Sequence, residues 1–137
     1  MSTEIAVFTS KSVSMILDEG GTRSWVLNPE RAKRCTYVVL CRKQRGHIAP
    51  AEELPEPHGS AFLVGRISNV VPVAAKRLHP NSKTKDRWKI TFNEYAKISV
   101  TDVWQGWHNP VKYMNLEEFK ALGIDVRRLH FKPMPVP

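Results

Sequence analysis

The chain has 137 residues, 42% of them hydrophobic, which fits one domain around one core, with residues 1–137 read as a single unit. Its 21 lysines and arginines against 13 acidic residues leave a formal net charge of +8, an excess that favours a polyanionic partner. The apolar runs at Tyr37 to Cys41 and Val70 to Ala75 fall far short of the ~20 residues of a membrane-spanning helix. Met1 to Ser10 lacks the basic start and sustained apolar segment of a secretory signal, so a cytoplasmic protein is expected.

In chain order, Glu4 to Thr9 is apolar and rich in β-formers and reads as a first strand. Ser12 to Glu19 places Val13, Ile16 and Leu17 at helical spacing behind a capping serine and stops at Gly20-Gly21, which predicts a short helix. Thr22 to Leu27 reads as a brief strand. Asn28, Pro29 and Glu30 then supply a cap, a first-turn proline and a helix-start acid, predicting a helix through Lys33. Thr36 to Arg42 is expected to be a buried central strand.

The proline- and glutamate-rich stretch His47 to Gly59 reads as an exposed loop, with Glu52, Glu53 and Glu56 on a solvated face. Ser60 to Val73 is strand-like, with Gly65 marking a bend or bulge and Pro72 an edge or terminus. After a basic loop, Trp88, Ile90 and Phe92 alternate with Lys89, Thr91 and Asn93 in Arg87 to Ile98, the two-residue period of a half-buried strand. Trp104 to Tyr113 reads as an irregular aromatic loop. Asn115 caps a helix that ends at Gly123 and buries Leu116, Phe119 and Leu122, and the tail from Arg127 is expected to be extended. The fold class is α+β, mainly β, with several strands and a few short helices forming a small closed or partly open barrel.

The two cysteines, Cys35 and Cys41, match no zinc spacing and read as buried, reduced thiols. No metal or cofactor is expected: a glycine-rich phosphate loop is missing, and the five histidines lie in no motif with a nucleophile or paired carboxylate. Basic residues cluster at Arg31, Lys33, Arg34, Arg42, Lys43 and Arg45, and again at Lys76, Arg77, Lys83, Lys85, Arg87 and Lys89. A barrel that brought both clusters to one face would neutralise phosphates and release counterions. Trp25, Trp104, Trp107 and Tyr113 lie close to these charges in sequence, and base stacking on exposed rings would complement phosphate contacts. Trp88 and Phe92 are expected in the core.

The helix Met15 to Gly21, the segment Thr22-Arg23-Ser24-Trp25, the strand Tyr37 to Cys41, and Phe62-Leu63-Val64-Gly65-Arg66-Ile67 follow one another in an order that resembles the PUA-like superfamily. The likeness is to its ASCH and EVE branches, whose small β-barrels bind RNA, modified nucleobases or nucleosides. It extends mostly over Met15 to Val71. The ASCH signature Gly-x-Lys-x-x-Glu-x-Arg meets Thr22, Trp25 and Leu27 in place of its Lys, Glu and Arg, so the amidohydrolase-type activity of some members does not carry over. The resemblance implies a cleft between Trp25 to Arg31 and the later aromatic loop, with Ser24, Trp25, Asn28, Arg31, Arg66, Trp104 and Trp107 as contacts.

The leading expectation is therefore a module that binds RNA or single-stranded DNA, with an unstacked or modified base in an aromatic-lined pocket. Arg34, Lys76, Arg77, Lys83, Lys85, His108 and Asn109 complete the candidate contact set. Two alternatives remain open: a hydrolase of a modified nucleoside with a His such as His108, or a Lys, as general base, and a protein-interaction module of a defence or mobile-element type that docks through a basic face.

Overall fold

The computed structural model describes residues 3–44, 55–73 and 87–135, the side chain of Ser24 excepted. The chain is mainly β, with one mixed sheet and few, short helices. In chain order the elements are β1 (Thr3–Thr9), α1 (Val13–Glu19), β2 (Gly21–Trp25), α2 (Pro29–Lys33), β3 (Tyr37–Arg42), β4 (Ala61–Val73), β5 (Arg87–Val100), β6 (Val111–Asn115), α3 (Leu116–Ala121), a 3-10 turn (Val126–Arg128) and β7 (Lys132–Pro133).

Local chemistry accounts for the helix ends. Ser12 accepts the Met15 N–H, and Gly20 closes α1 in the left-handed region at φ 73°. Asn28 caps α2 by accepting from Glu30 and Arg31, ahead of Pro29. Asn115 and Glu118 form a reciprocal capping box on α3, satisfying two donors that would otherwise face solvent alone.

Among the described residues the strands run in the order β2-β5-β4-β3-β1-β6, with β7 added to β5 beyond β2. β1 and β3 are parallel, Ile5 opposite Val38, and the other pairings are antiparallel. No ladder joins β2 to β6, so the observed pairings leave the sheet open where a barrel was one expectation. The two ends nevertheless approach each other: the Tyr113 hydroxyl of β6 donates a long bond of 3.5 Å to the carbonyl of Asn28, just past β2.

Both faces of the sheet are covered. One carries Ile5, Val7, Val38, Leu40, Ile90 and Phe92 beneath Ile16 of α1 and Ala32 of α2. The other carries Ala6, Val39, Val64 and Met114 against Phe119 of α3, Ile124 and Val126. Phe119 is fully buried, worth roughly 1.5–3 kcal/mol relative to exposure. The long strands β4 and β5 bend through register shifts near Arg66 and Ile67. There Gly65 lets the Phe92 ring lie on the backbone, since a Cβ at Gly65 would stand 2.5 Å from Phe92 Cγ.

Three sequence expectations change. The stretch read as an aromatic loop ends earlier, because Val111 to Tyr113 pair with Val7 to Ile5 as part of β6. Arg42, counted with the basic surface, is fully buried at the end of β3. Glu56, assigned to a solvated face, holds the Arg42 guanidinium at 2.6 Å.

Candidate nucleic-acid interface

The loop between β5 and β6 gathers the aromatic side chains. Asp102 and Gly106 take left-handed backbone conformations, and the Gln105 amide donates back to the Asp102 carbonyl at 2.6 Å, which folds the loop on itself. The carbonyl of Gly59, itself at φ 84°, accepts from the N–H groups of both Val103 and Trp104 and ties this loop to the start of β4. At the far end, Phe8 N–H donates to the Pro110 carbonyl and the Asn109 side chain accepts from Val111 N–H, setting the entry into β6.

This scaffold lines up four rings. His58 meets Phe8 edge-on at 5.2 Å, Phe8 stacks on Trp104 at 4.7 Å with 6° between planes, and Trp104 meets Trp107 edge-on at 4.9 Å. Trp104 is the buried middle of the row, with 8% exposure, and its indole N–H has no partner among the described residues. Trp107 is half-buried, and His58 at the other end is exposed. The Lys112 ammonium of β6 sits 5.4 Å from the Trp107 ring, a cation–π arrangement that sets positive charge beside an aromatic face. His58 Nδ1 accepts from the Gln44 N–H, which assigns the ring proton to Nε2.

A second aromatic and cation pair lies on the opposite face of β6, where the exposed Arg31 guanidinium stands 4.0 Å above the Tyr113 ring. Arg31, Lys33 and Arg34 are all exposed on or next to α2. Arg66 of β4 pairs with Glu94 at 3.1 Å and lies 4.8 Å above the Phe131 ring, so part of its charge is already neutralised.

The remaining sequence candidates divide. Trp25 is 8% exposed, faces the first core layer and donates its indole N–H to the buried Thr22 hydroxyl at 3.1 Å, so it is a core residue and presents no stacking face. Trp104 is likewise withdrawn from direct contact and acts as the support of Trp107. The Asn28 side-chain oxygen is committed to the α2 cap. His108 and Asn109 are exposed in the aromatic loop, and no carboxylate among the described residues bonds to His108. The Ser24 side chain, Lys76, Arg77, Lys83 and Lys85 lie outside the described residues, as do Arg45, Glu52 and Glu53.

Comparison with protein-family models, with curated proteins and with solved structures finds no match to this chain. The site is thus read from its own geometry. Among the described residues no group of three or more His, Cys, Asp or Glu is placed to hold a metal ion. Both thiols are free and buried, and burial pushes each up to about 12, Cys35 with a further upward push from Glu4 and a downward one from Arg31. Thiols held so far toward the protonated form do not supply a nucleophile near neutral pH. No helix among the described residues is long and apolar enough to cross a membrane.

Sequence reasoning missed Phe8, His58 and Lys112. Phe8 was visible only as a strand residue, and its place in the row depends on β1 lying beside β6, a pairing between distant parts of the chain. Lys112 was hidden because β6 was read as loop, whereas strand alternation is what sends Lys112 and Tyr113 to opposite faces.

Proposed function

We propose that the protein is a nucleic-acid-binding module for single-stranded RNA or DNA, in which Trp107 stacks on an unpaired base while Lys112 contacts the adjoining backbone. The observation that carries this reading is the half-exposed Trp107 ring held edge-on by Trp104 with the Lys112 ammonium 5.4 Å away. Stacking on such a ring is worth roughly 1–3 kcal/mol per base, and a nearby ammonium adds phosphate affinity without base preference.

The finer fold reading belongs to the same proposal: a PUA-like, partly open barrel. It is supported by the bent β4 and β5 and by the approach of Tyr113 to Asn28 and Arg31 across the gap between β2 and β6.

The test is fluorescence anisotropy with labelled single-stranded RNA, single-stranded DNA and duplex DNA at two salt concentrations. Trp107→Ala is expected to weaken single-strand binding about tenfold or more, and Lys112→Ala to lower the salt slope by about one. Single-strand binding that is absent at low salt, or unchanged by both substitutions, refutes the assignment.

A further inference from the structure

Among the described residues, depressions of similar size at two places outside the aromatic row differ in chemistry. The one between α3 and the 3-10 turn contains the carboxylates of Glu117 and Asp125, and Asp125 is paired with Arg128 at 3.5 Å. Lys120, Arg127 and Arg128 line it as well, so acids and cations are mixed there. The other, about 200 Å³, is lined by Tyr95, Ala96, Lys97, His130 and Lys132. Two lysines, a histidine and a tyrosine line it, and among the described residues no carboxylate does.

The backbone fixes these groups. Lys132 stands opposite Tyr95 in the β5–β7 pairing, and the Met134 N–H donates to the Asn93 carbonyl at 3.0 Å to hold the end of the segment. Of His130, Phe131 and Lys132, the first and third line the cavity and the middle one packs against the second core layer. There Phe131 stacks on Tyr37 at 5.8 Å under the Arg66 guanidinium, which anchors the segment from behind. Glu94, the acid next to Tyr95, is drawn to that same far side by its 3.1 Å bond to Arg66. The acid that could quench the cavity is thereby spent elsewhere.

We propose that this cavity is a binding site for a phosphate monoester. A dianion with three acceptor oxygens matches two ammonium groups and two further donors, and the charge-assisted hydrogen bonds to it are the strong kind. The cavity exceeds a bare anion in size, and the Tyr95 ring offers an apolar wall to the group that carries the phosphate. Such a monoester occurs both in a free nucleotide and at the phosphorylated end of a strand. The site is independent of the Trp107 platform, since β4, β3 and β1 separate β5 from β6 in the sheet.

The test is an amide NMR titration of the full chain with a nucleoside, its 5′-monophosphate, and one short single strand with and without a 5′-phosphate. Shifts at residues 95–97 and 130–132 on the monophosphate, with none at these residues on the nucleoside, are expected. Lys97→Gln and Lys132→Gln should each weaken the monophosphate about tenfold, whereas Lys120→Gln on α3 and Trp107→Ala should leave it unchanged. A phosphorylated strand that binds more tightly than the monophosphate assigns the site to strand ends, and the reverse order assigns it to free nucleotides. Equal binding of the nucleoside and its monophosphate, or losses no greater in Lys132→Gln than in Lys120→Gln, overturns the proposal. Because Lys97 and Lys132 are both exposed, their substitution leaves the core intact.

Discussion

Arg42 and Glu56 form an ion pair of 2.6 Å in which the arginine side chain is fully buried and the glutamate mostly so. The same guanidinium donates to the carbonyls of Thr9 at 3.1 Å and Lys11 at 2.5 Å and lies 4.0 Å above the Phe62 ring. One cation thus joins the end of β1, the start of α1 and the segment before β4. Among the described residues its Nε has no partner.

Removing one member of this pair is expected to be much worse than removing both. Glu56→Gln leaves a buried guanidinium without its counter-charge, and the cost should be about 3–5 kcal/mol. The double variant Arg42→Met with Glu56→Gln should recover a large part of it. Urea unfolding of the two single variants and the double one measures the coupling, and strict additivity would show that the pair contributes no mutual stabilisation.

Gly65→Ala is expected to destabilise the fold by about 1–3 kcal/mol, the range for forcing extra volume into a packed core. The new Cβ would meet the Phe92 ring at its root, where no rotation of the ring removes the clash. Phe92→Ala, which removes the Cγ that the new Cβ meets, should cost less in the Gly65→Ala background than in the parent. If Gly65→Ala unfolds at the same denaturant concentration as the parent, the contact of ring and backbone is not tight.

Glu4 gives the stability a defined pH dependence. Burial pushes its carboxyl above the ordinary value of 4.5, against the lowering effect of the Tyr37 and Thr36 N–H groups that donate to it. The folded chain therefore holds this proton more tightly than the unfolded chain. Below 4.5 the group is protonated in both states, and as pH rises through the raised value its contribution to stability is lost. The stability of the parent minus that of Glu4→Gln should fall as pH rises above 4.5 and then level off, and a flat difference would show that folding does not perturb this carboxyl.

Cys35 and Cys41 should resist an aromatic disulfide reagent at pH 8 (roughly the ordinary thiol range) in the native state and react fully in denaturant. Cys41 is fully buried and Cys35 6% exposed, and burial holds both thiols near 12. Rapid modification of either without denaturant would mean that the α2 segment or β3 opens readily.

What was legible in the sequence is what is decided within a few residues. Ser12, Asn28 and Asn115 announce their helices because a cap bonds two or three positions ahead, and Ile90 and Phe92 announce β5 because alternation is local. The roles of Trp25 and Trp104 were not legible, since a tryptophan beside charges in sequence looks the same whether its ring meets water or Thr22 and Phe8. Arg42 shows the limit most clearly. Its neighbours Lys43 and Arg45 suggest a basic surface, yet its fate is set by Glu56 across a loop and by carbonyls more than thirty residues earlier. Lys97 and Lys132 carried no signal because β7 is two residues long and gains meaning only beside β5.

The place of β1 bears on how the chain folds. Its neighbours are β3, reached by a parallel crossover through α1, β2 and α2, and β6, whose Asn115 stands opposite Thr3. Neither pairing can form by zipping up a hairpin, so large loops must close before β1 gains any partner, and the entropy of that closure comes before the reward. Refolding should accordingly be slow for a chain of this size, and during synthesis β1 has to wait on the ribosome, unpaired, until β3 has emerged, and with one edge open until the residues of β6 follow.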